Sequence, residues 1–199
     1  MYILLLQQAS NKEERAYFYH QLGHIKDKQG DQKMAIDYYE DVLEILERNT
    51  YRNYPLLAAS YNNIGSVYKN MDEYSQALAF YEKALETYKK SSPVRPLDLA
   101  VSYNNIGSVY NSMKEYSKAL SFHEKSLEIR QDHLSSNDPS LAICYNNIGL
   151  VNRNMRNYSK ALTYYERALE ILQKSLPWDH PHIKDVQTNI KLVKEKLLL

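Results

Sequence analysis

Tyr61-Asn-Asn-Ile-Gly65 occurs again as Tyr103-Asn-Asn-Ile-Gly107 and as Tyr145-Asn-Asn-Ile-Gly149, each copy 42 residues after the one before. One step back in the same frame lies Tyr19-His-Gln-Leu-Gly23, and one step forward lies Gln187-Thr-Asn-Ile-Lys191. Residues 60–88 and 102–130 are identical at 20 of 29 positions, too many for shared composition. A fixed period of this size marks a chain built from copies of one supersecondary unit, none of which can bury its apolar face alone.

Within a copy the apolar positions recur at helical spacing. Tyr61, Ile64, Gly65 and Tyr68 stand at i, i+3, i+4 and i+7, one face of a helix. A second such pattern follows Asp72, with Ala77, Leu78, Tyr81, Ala84 and Leu85, so each copy reads as a helical hairpin. Only 5 glycines and 6 prolines punctuate 199 residues, which speaks against a sandwich or barrel of many short strands. Four glycines share one mid-helix place, 23, 65, 107 and 149, where glycine costs roughly 0.8–1 kcal/mol relative to alanine. A close approach of the second helix would offset that cost, with Met34, Ala77, Ala119 and Ala161 as the facing side chains. On that reading the larger Met34 splays the first hairpin slightly. Asp138-Pro139 and His180-Pro181 place proline in a first helical turn, where its missing N–H is harmless.

The pattern Tyr61, Ile64-Gly65, Tyr68, Ala77, Tyr81 resembles the signature of the tetratricopeptide repeat. The third copy matches with Tyr103, Ile106-Gly107, Tyr110, Ala119 and His123, and the fourth with Tyr145, Ile148-Gly149, Asn152, Ala161 and Tyr165. The 42-residue period exceeds the family's usual 34 or so, and the added length follows the second helix. In this the chain resembles the repeats of kinesin light chains, as does Ala168-Leu-Glu-Ile171 followed by Leu176-Pro-Trp-Asp-His-Pro181. The resemblance implies an all-α fold, a right-handed α-solenoid or superhelix of stacked antiparallel helix pairs. Its expected divisions are 13–54, 55–96, 97–138 and 139–180 for four repeats. Residues 181–199 form a capping helix, whose apolar stripe is Ile183, Val186, Ile190, Val193 and Leu197. Met1, Ile3 and Leu4 fall in frame with Leu43, Ile45 and Leu46, so residues 1–12 are expected to be the remnant of a preceding helix. No heptad segment of the kind that joins light chains to a motor precedes the first repeat.

Charge and composition narrow the partners. The 25 basic and 24 acidic side chains nearly cancel, which removes the basic footprint of a nucleic-acid binder. No apolar run approaches the roughly 20 residues of a membrane-spanning helix, and Met1-Tyr-Ile-Leu-Leu-Leu6 lacks the basic region and cleavage site of a leader. The single cysteine, Cys144, makes no internal disulfide and fits a reducing, cytoplasmic location. It stands in frame with Ser60 and Ser102 and reads as a small packing residue.

A solenoid's concave surface is lined by the first helix of each repeat and is its usual binding face. The resemblance places there His20, Gln21, His24, Asp27 and Lys28; Asn62, Asn63, Ser66, Lys69 and Asn70; and Asn104, Asn105, Ser108, Asn111 and Ser112. The fourth repeat adds Asn146, Asn147, Leu150, Arg153 and Asn154. An asparagine amide offers an acceptor and two donors, the complement of a peptide backbone, so the ladder Asn63, Asn105, Asn147 is expected to hold a partner chain. The other reading of these amides is that they cap or bridge neighbouring helices. Lys28, Lys69 and Arg153, set against Asp27, would favour an acidic or phosphorylated segment. His20, His24 and Asp27 lie at turn spacing, yet Gln21 occupies the place of a zincin's glutamate, so no metal site is expected. No phosphate-cradling loop, catalytic triad or cofactor motif is present in the sequence. The expected function is a non-enzymatic scaffold that binds a protein or peptide in the groove, with neither nucleic acid nor membrane as partner. The second reading is a regulatory repeat module of a larger protein with a catalytic domain upstream. Alanine at Asn63, Asn105 and Asn147 is expected to abolish capture while leaving the melting temperature intact.

Overall fold

The structure is a computed structural model that describes residues 6, 8–48 and 53–198. Among these the chain forms nine helices: α1 Lys12–Lys28, α2 Gln32–Glu47, α3 Tyr54–Asn70, α4 Tyr74–Lys90, α5 Pro96–Ser112, α6 Tyr116–His133, α7 Pro139–Asn154, α8 Tyr158–Ser175 and α9 Pro181–Leu197. No strand occurs among the described residues. The fold class is all-α, as expected. The reading of Met1, Ile3 and Leu4 as a helix remnant falls outside the described residues. None of the helices is long and apolar enough to cross a membrane.

The chain divides into two compact units, residues Met1–Arg95 and Pro96–Leu199. In the first, α1 pairs with α2 and α3 with α4, and the hairpins join where α2 and α1 pack on α3. Its core comprises Val42, Leu46, Leu57 and Tyr61, with Ala35, Tyr39, Ile64 and Val67 beside them. In the second, α5 pairs with α6 and α7 with α8, α6 packs on α7, and α9 closes the stack against α8. Leu141, Ile148, Tyr165, Ile171, Ile183 and Val186 belong to one continuous core there, so α9 covers apolar surface that α8 would otherwise expose.

Caps and turns set the helix ends. Asn11, Asn53 and Asp138 each accept a backbone N–H of the first turn, from Glu14 at 2.8 Å, Leu56 at 3.1 Å and Ser140 at 2.8 Å. Pro139 and Pro181 occupy first turns, as their sequence context implied. Every hairpin turns through one residue of positive φ, namely Gly30 at 76°, Asp72 at 60°, Lys114 at 63° and Arg156 at 63°. The next N–H closes the turn onto the first helix, as Glu115 N does by donating to the Tyr110 carbonyl at 2.8 Å. Only the first copy uses glycine, so the others hold an L-residue where its Cβ is crowded. Lys114→Gly is therefore expected to stabilise the second unit by about 0.5–1 kcal/mol despite glycine's unfolded-state entropy. A higher denaturation midpoint at unchanged slope is the result to look for, and a lower one would show that this turn carries no strain.

The mid-helix glycines face something other than the expected small side chain. A Cβ built on Gly23 would lie 2.7 Å from the Tyr39 ring, on Gly65 2.9 Å from Tyr81, on Gly107 3.0 Å from His123 and on Gly149 2.8 Å from Tyr165. The approach is real, but the second helix meets the glycine with a flat ring. The first hairpin is also not exceptional. Met34 is 38% exposed, and the residue in frame with Ala77 is Ala35, fully buried, so the splaying expected from Met34 has no cause.

Candidate functional site

The first helix of each hairpin carries the polar residues singled out in the sequence, and within each unit these helices are tied by side-chain hydrogen bonds. In the first unit Ser60 donates its hydroxyl to the Leu56 carbonyl at 3.0 Å. Its oxygen is then the acceptor for Nδ1–H of His20 at 2.9 Å, which fixes that imidazole's tautomer. Nε2 of His20 is left to accept from the Asn63 amide at 3.4 Å. Burial, aided by nearby His24, lowers the His20 pKa to about 4, consistent with a neutral ring whose two nitrogens play opposite roles. His20 and Asn63 thus join α1 to α3. Gln21, Ser66 and Lys69 are half-buried beside them, while His24, Lys28 and Asn70 are exposed. Asn62 is 6% exposed and offers a ligand little surface.

In the second unit the same relation recurs with amides alone. Asn147 on α7 donates to the Asn104 oxygen on α5 at 2.9 Å, and Asn189 on α9 donates to the Asn146 oxygen on α7 at 3.3 Å. Each bridge joins a residue to one 43 positions later, a repeat plus one residue, as does the bond from Asn154 to Asn111 at 3.0 Å. The Asn104 oxygen also accepts from Nδ1–H of His123 at 3.1 Å. His123 is 1% exposed, and burial lowers its pKa to about 4. Arg153 donates to the Asn189 oxygen at 3.0 Å, which anchors its guanidinium on the same face.

The second reading of the amides, as bridges between helices, therefore describes Asn63 and Asn147. It does not exhaust them, because an asparagine has one more donor and acceptor than a single bridge uses. The Asn147 oxygen and the Asn146 amide N–H groups have no partner among the described residues. Asn105 is half-buried and makes no side-chain hydrogen bond within its unit. Bridging holds the Asn146 and Asn147 side chains in place, so their remaining donors and acceptors are already oriented. Ser108 turns inward instead, donating to the Asn104 carbonyl at 3.0 Å.

Apolar residues flank the amides of the second unit. Val101 is 40% exposed, Ile143 45% and Leu192 45%. Sequence reasoning passed over Asn189, although it stands in frame with Asn63, Asn105 and Asn147. It also missed His123 as a partner of Asn104, which no spacing rule announces. Cys144 is fully buried, its thiol pushed up in pKa by burial and 3.6 Å from the Ser126 hydroxyl, so the environment opposes a thiolate nucleophile.

Helical hairpins copied at a fixed period, their first helices linked within each unit by polar side chains, define a helical-repeat protein. The family model described as tetratricopeptide repeat matches residues 14–90 and 98–174. The chain belongs to the tetratricopeptide repeat family. No curated protein sequence matches it. Among solved structures it is similar to BtubC (BKLC) from P. vanneervenii, at 19% identity and TM-score 0.83, covering 98% of this chain and 78% of that one. The nearly identical TPR-like repeats of a Podosopora anserina kinesin light chain give TM-score 0.74 at 18% identity, covering 94% and 88%. The apo form of RapI gives 0.75 at 24% identity, covering 85% of this chain and 60% of RapI, so the chain spans less than two thirds of that protein. At these identities the likeness is one of fold.

Proposed function

We propose that the chain is a non-enzymatic interaction scaffold whose first-helix faces hold an extended peptide of a partner protein. The observation that carries this reading is the amide capacity left over at Asn146 and Asn147, which bridges hold in place, and at half-buried Asn105. Interhelical bridges and packing limit the side-chain freedom that binding would otherwise remove, and amides pair with a peptide backbone whatever its side chains. The groove residues are His20, Gln21, His24, Asn63, Ser66 and Lys69 in the first unit, without the buried Asn62. Asn104, Asn105, Asn146, Asn147 and Arg153 serve in the second, without the inward-turned Ser108. Acidic side chains of the partner would gain from Lys69 and Arg153.

The geometry changes what a test must control for. Asn63→Ala and Asn147→Ala each remove an interhelical hydrogen bond and are expected to cost about 1 kcal/mol of stability, so the melting temperature falls, contrary to the sequence-based expectation. Asn105→Ala removes no bond within its unit. Peptides selected from a random library on the purified chain should bind Asn105→Ala several-fold more weakly at nearly unchanged melting temperature. Binding that survives both Asn105→Ala and the triple asparagine variant would move the site off this face.

A further inference from the structure

The second unit contains a recess that the amide row does not explain. A cavity of about 190 Å3 opens between α7, α8 and α9. Ala142, Ile143, Leu172 and Val186 supply its apolar wall, and Asn146, His182 and Asp185 stand with them around it. It is smaller than the roughly 300–1,000 Å3 of a small-molecule site, and it suits one aliphatic side chain. Ile143 keeps 45% of its surface exposed here, so the recess opens to solvent on the face that carries the amides.

Two polar features give this recess a direction and a charge. Asn146 has its oxygen occupied by Asn189 at 3.3 Å, which orients its N–H groups as donors for a carbonyl lying across the mouth. Asp185 is exposed and forms no ion pair among the described residues. It follows Val101 and Ile143 in the repeat frame, a carboxylate at a place that is apolar in the two preceding repeats. Of the four lysines on the same helix, Lys194 is engaged elsewhere, 3.5 Å from Glu166, and none forms an ion pair with Asp185. An unpaired carboxylate at the edge of an apolar recess favours a cationic group adjoining an apolar one.

We propose that this recess is the selective part of the groove. It seats an aliphatic side chain of a partner peptide whose lysine or arginine two residues away pairs with Asp185, while Asn146 donates to the intervening backbone. In an extended chain residues i and i+2 point the same way, roughly 6–7 Å apart, so one strand presents both side chains to neighbouring points on one wall. The proposal rests on the groove reading given above and adds to it the chemistry of the ligand.

Random-peptide selection on the purified full chain tests it. Recovered sequences should pair a leucine, isoleucine, valine or methionine with a lysine or arginine two residues off. Their affinity should fall about fivefold or more with Asp185→Lys, as an exchange of attraction for repulsion at a partly solvated site implies. Selection on Asp185→Lys should recover aspartate or glutamate at the cationic place. Ile143→Asp, an exposed position, should lose binding while its circular dichroism matches the parent. Recovered peptides without the aliphatic–cation pair, affinity unmoved by Asp185→Lys, or no recovered peptide would overturn the proposal. Peptides that respond to Asn105→Ala and ignore Asp185→Lys would leave the groove reading standing and remove this one alone.

Discussion

Gly149→Leu is expected to destabilise the second unit by about 3 kcal/mol or more, the upper end of the usual cost of overpacking. The Tyr165 ring is fully buried, and a bare Cβ at residue 149 would already stand 2.8 Å from it. The ring cannot rotate away, because Tyr165 belongs to the same core as Ile148, Ile171 and Ile183. A leucine must therefore part α7 from α8 along the hairpin that supports α9. Alanine sharpens the test. On helix propensity alone each Gly→Ala change would stabilise by roughly 0.8–1 kcal/mol, so a loss of stability isolates the steric term. The losses should follow the clearances, with Gly23→Ala at 2.7 Å worst and Gly107→Ala at 3.0 Å mildest. Chemical denaturation followed by circular dichroism reads the series, and a stabilised Gly149→Ala would show that the ring is not held.

Acidification provides the second large effect. His123 has a folded-state pKa of about 4 against an ordinary 6.5, with desolvation as the cause. Between those two values the unfolded chain binds a proton that the folded chain does not, so stability falls as the pH falls through that window. The contribution is fully present above about pH 6.5. Its loss by pH 4 amounts to about 3 kcal/mol, from the value of one pKa unit. The other three copies carry tyrosine at this place, as Tyr39, Tyr81 and Tyr165. His123→Tyr should remove most of this pH dependence from the second unit, while His20, lowered likewise to about 4, retains its own in the first. Melting curves at pH 7 and pH 4.5 on both proteins decide it, and parallel behaviour would mean that folded His123 takes up its proton as readily as the unfolded chain does.

Different parts of this molecule were legible in the sequence to different degrees. Hairpins could be read because glycine, tyrosine and the amides return at one period, and helical spacing fills the interval. The ring above each glycine was equally present in the sequence, at 39, 81, 123 and 165, but small-faces-small is the simpler guess, and deciding between the two takes the rotation of α8 about its axis. Positive φ was legible only at Gly30, since aspartate, lysine and arginine at the equivalent turns do not signal it. Asn62 and Asn63 look alike in the sequence, yet neighbours on a helix differ by about 100° in direction, enough to bury one and let the other reach across. The recess beside Asp185 needs three helices at once, so no single segment announces it.

The bridges from Asn63 to His20, Asn147 to Asn104 and Asn189 to Asn146 also bear on how such a chain changes over generations. Donor and acceptor occupy adjacent places that every copy carries, so a bridge depends on what stands at those places and not on which copy supplies it. Gain or loss of a whole 42-residue copy leaves the offset unchanged. A single-residue insertion inside a first helix does not, because it turns each downstream amide of that helix by about 100°. Lineages are therefore expected to vary this chain by whole copies and to place their small insertions in the segments after the second helices.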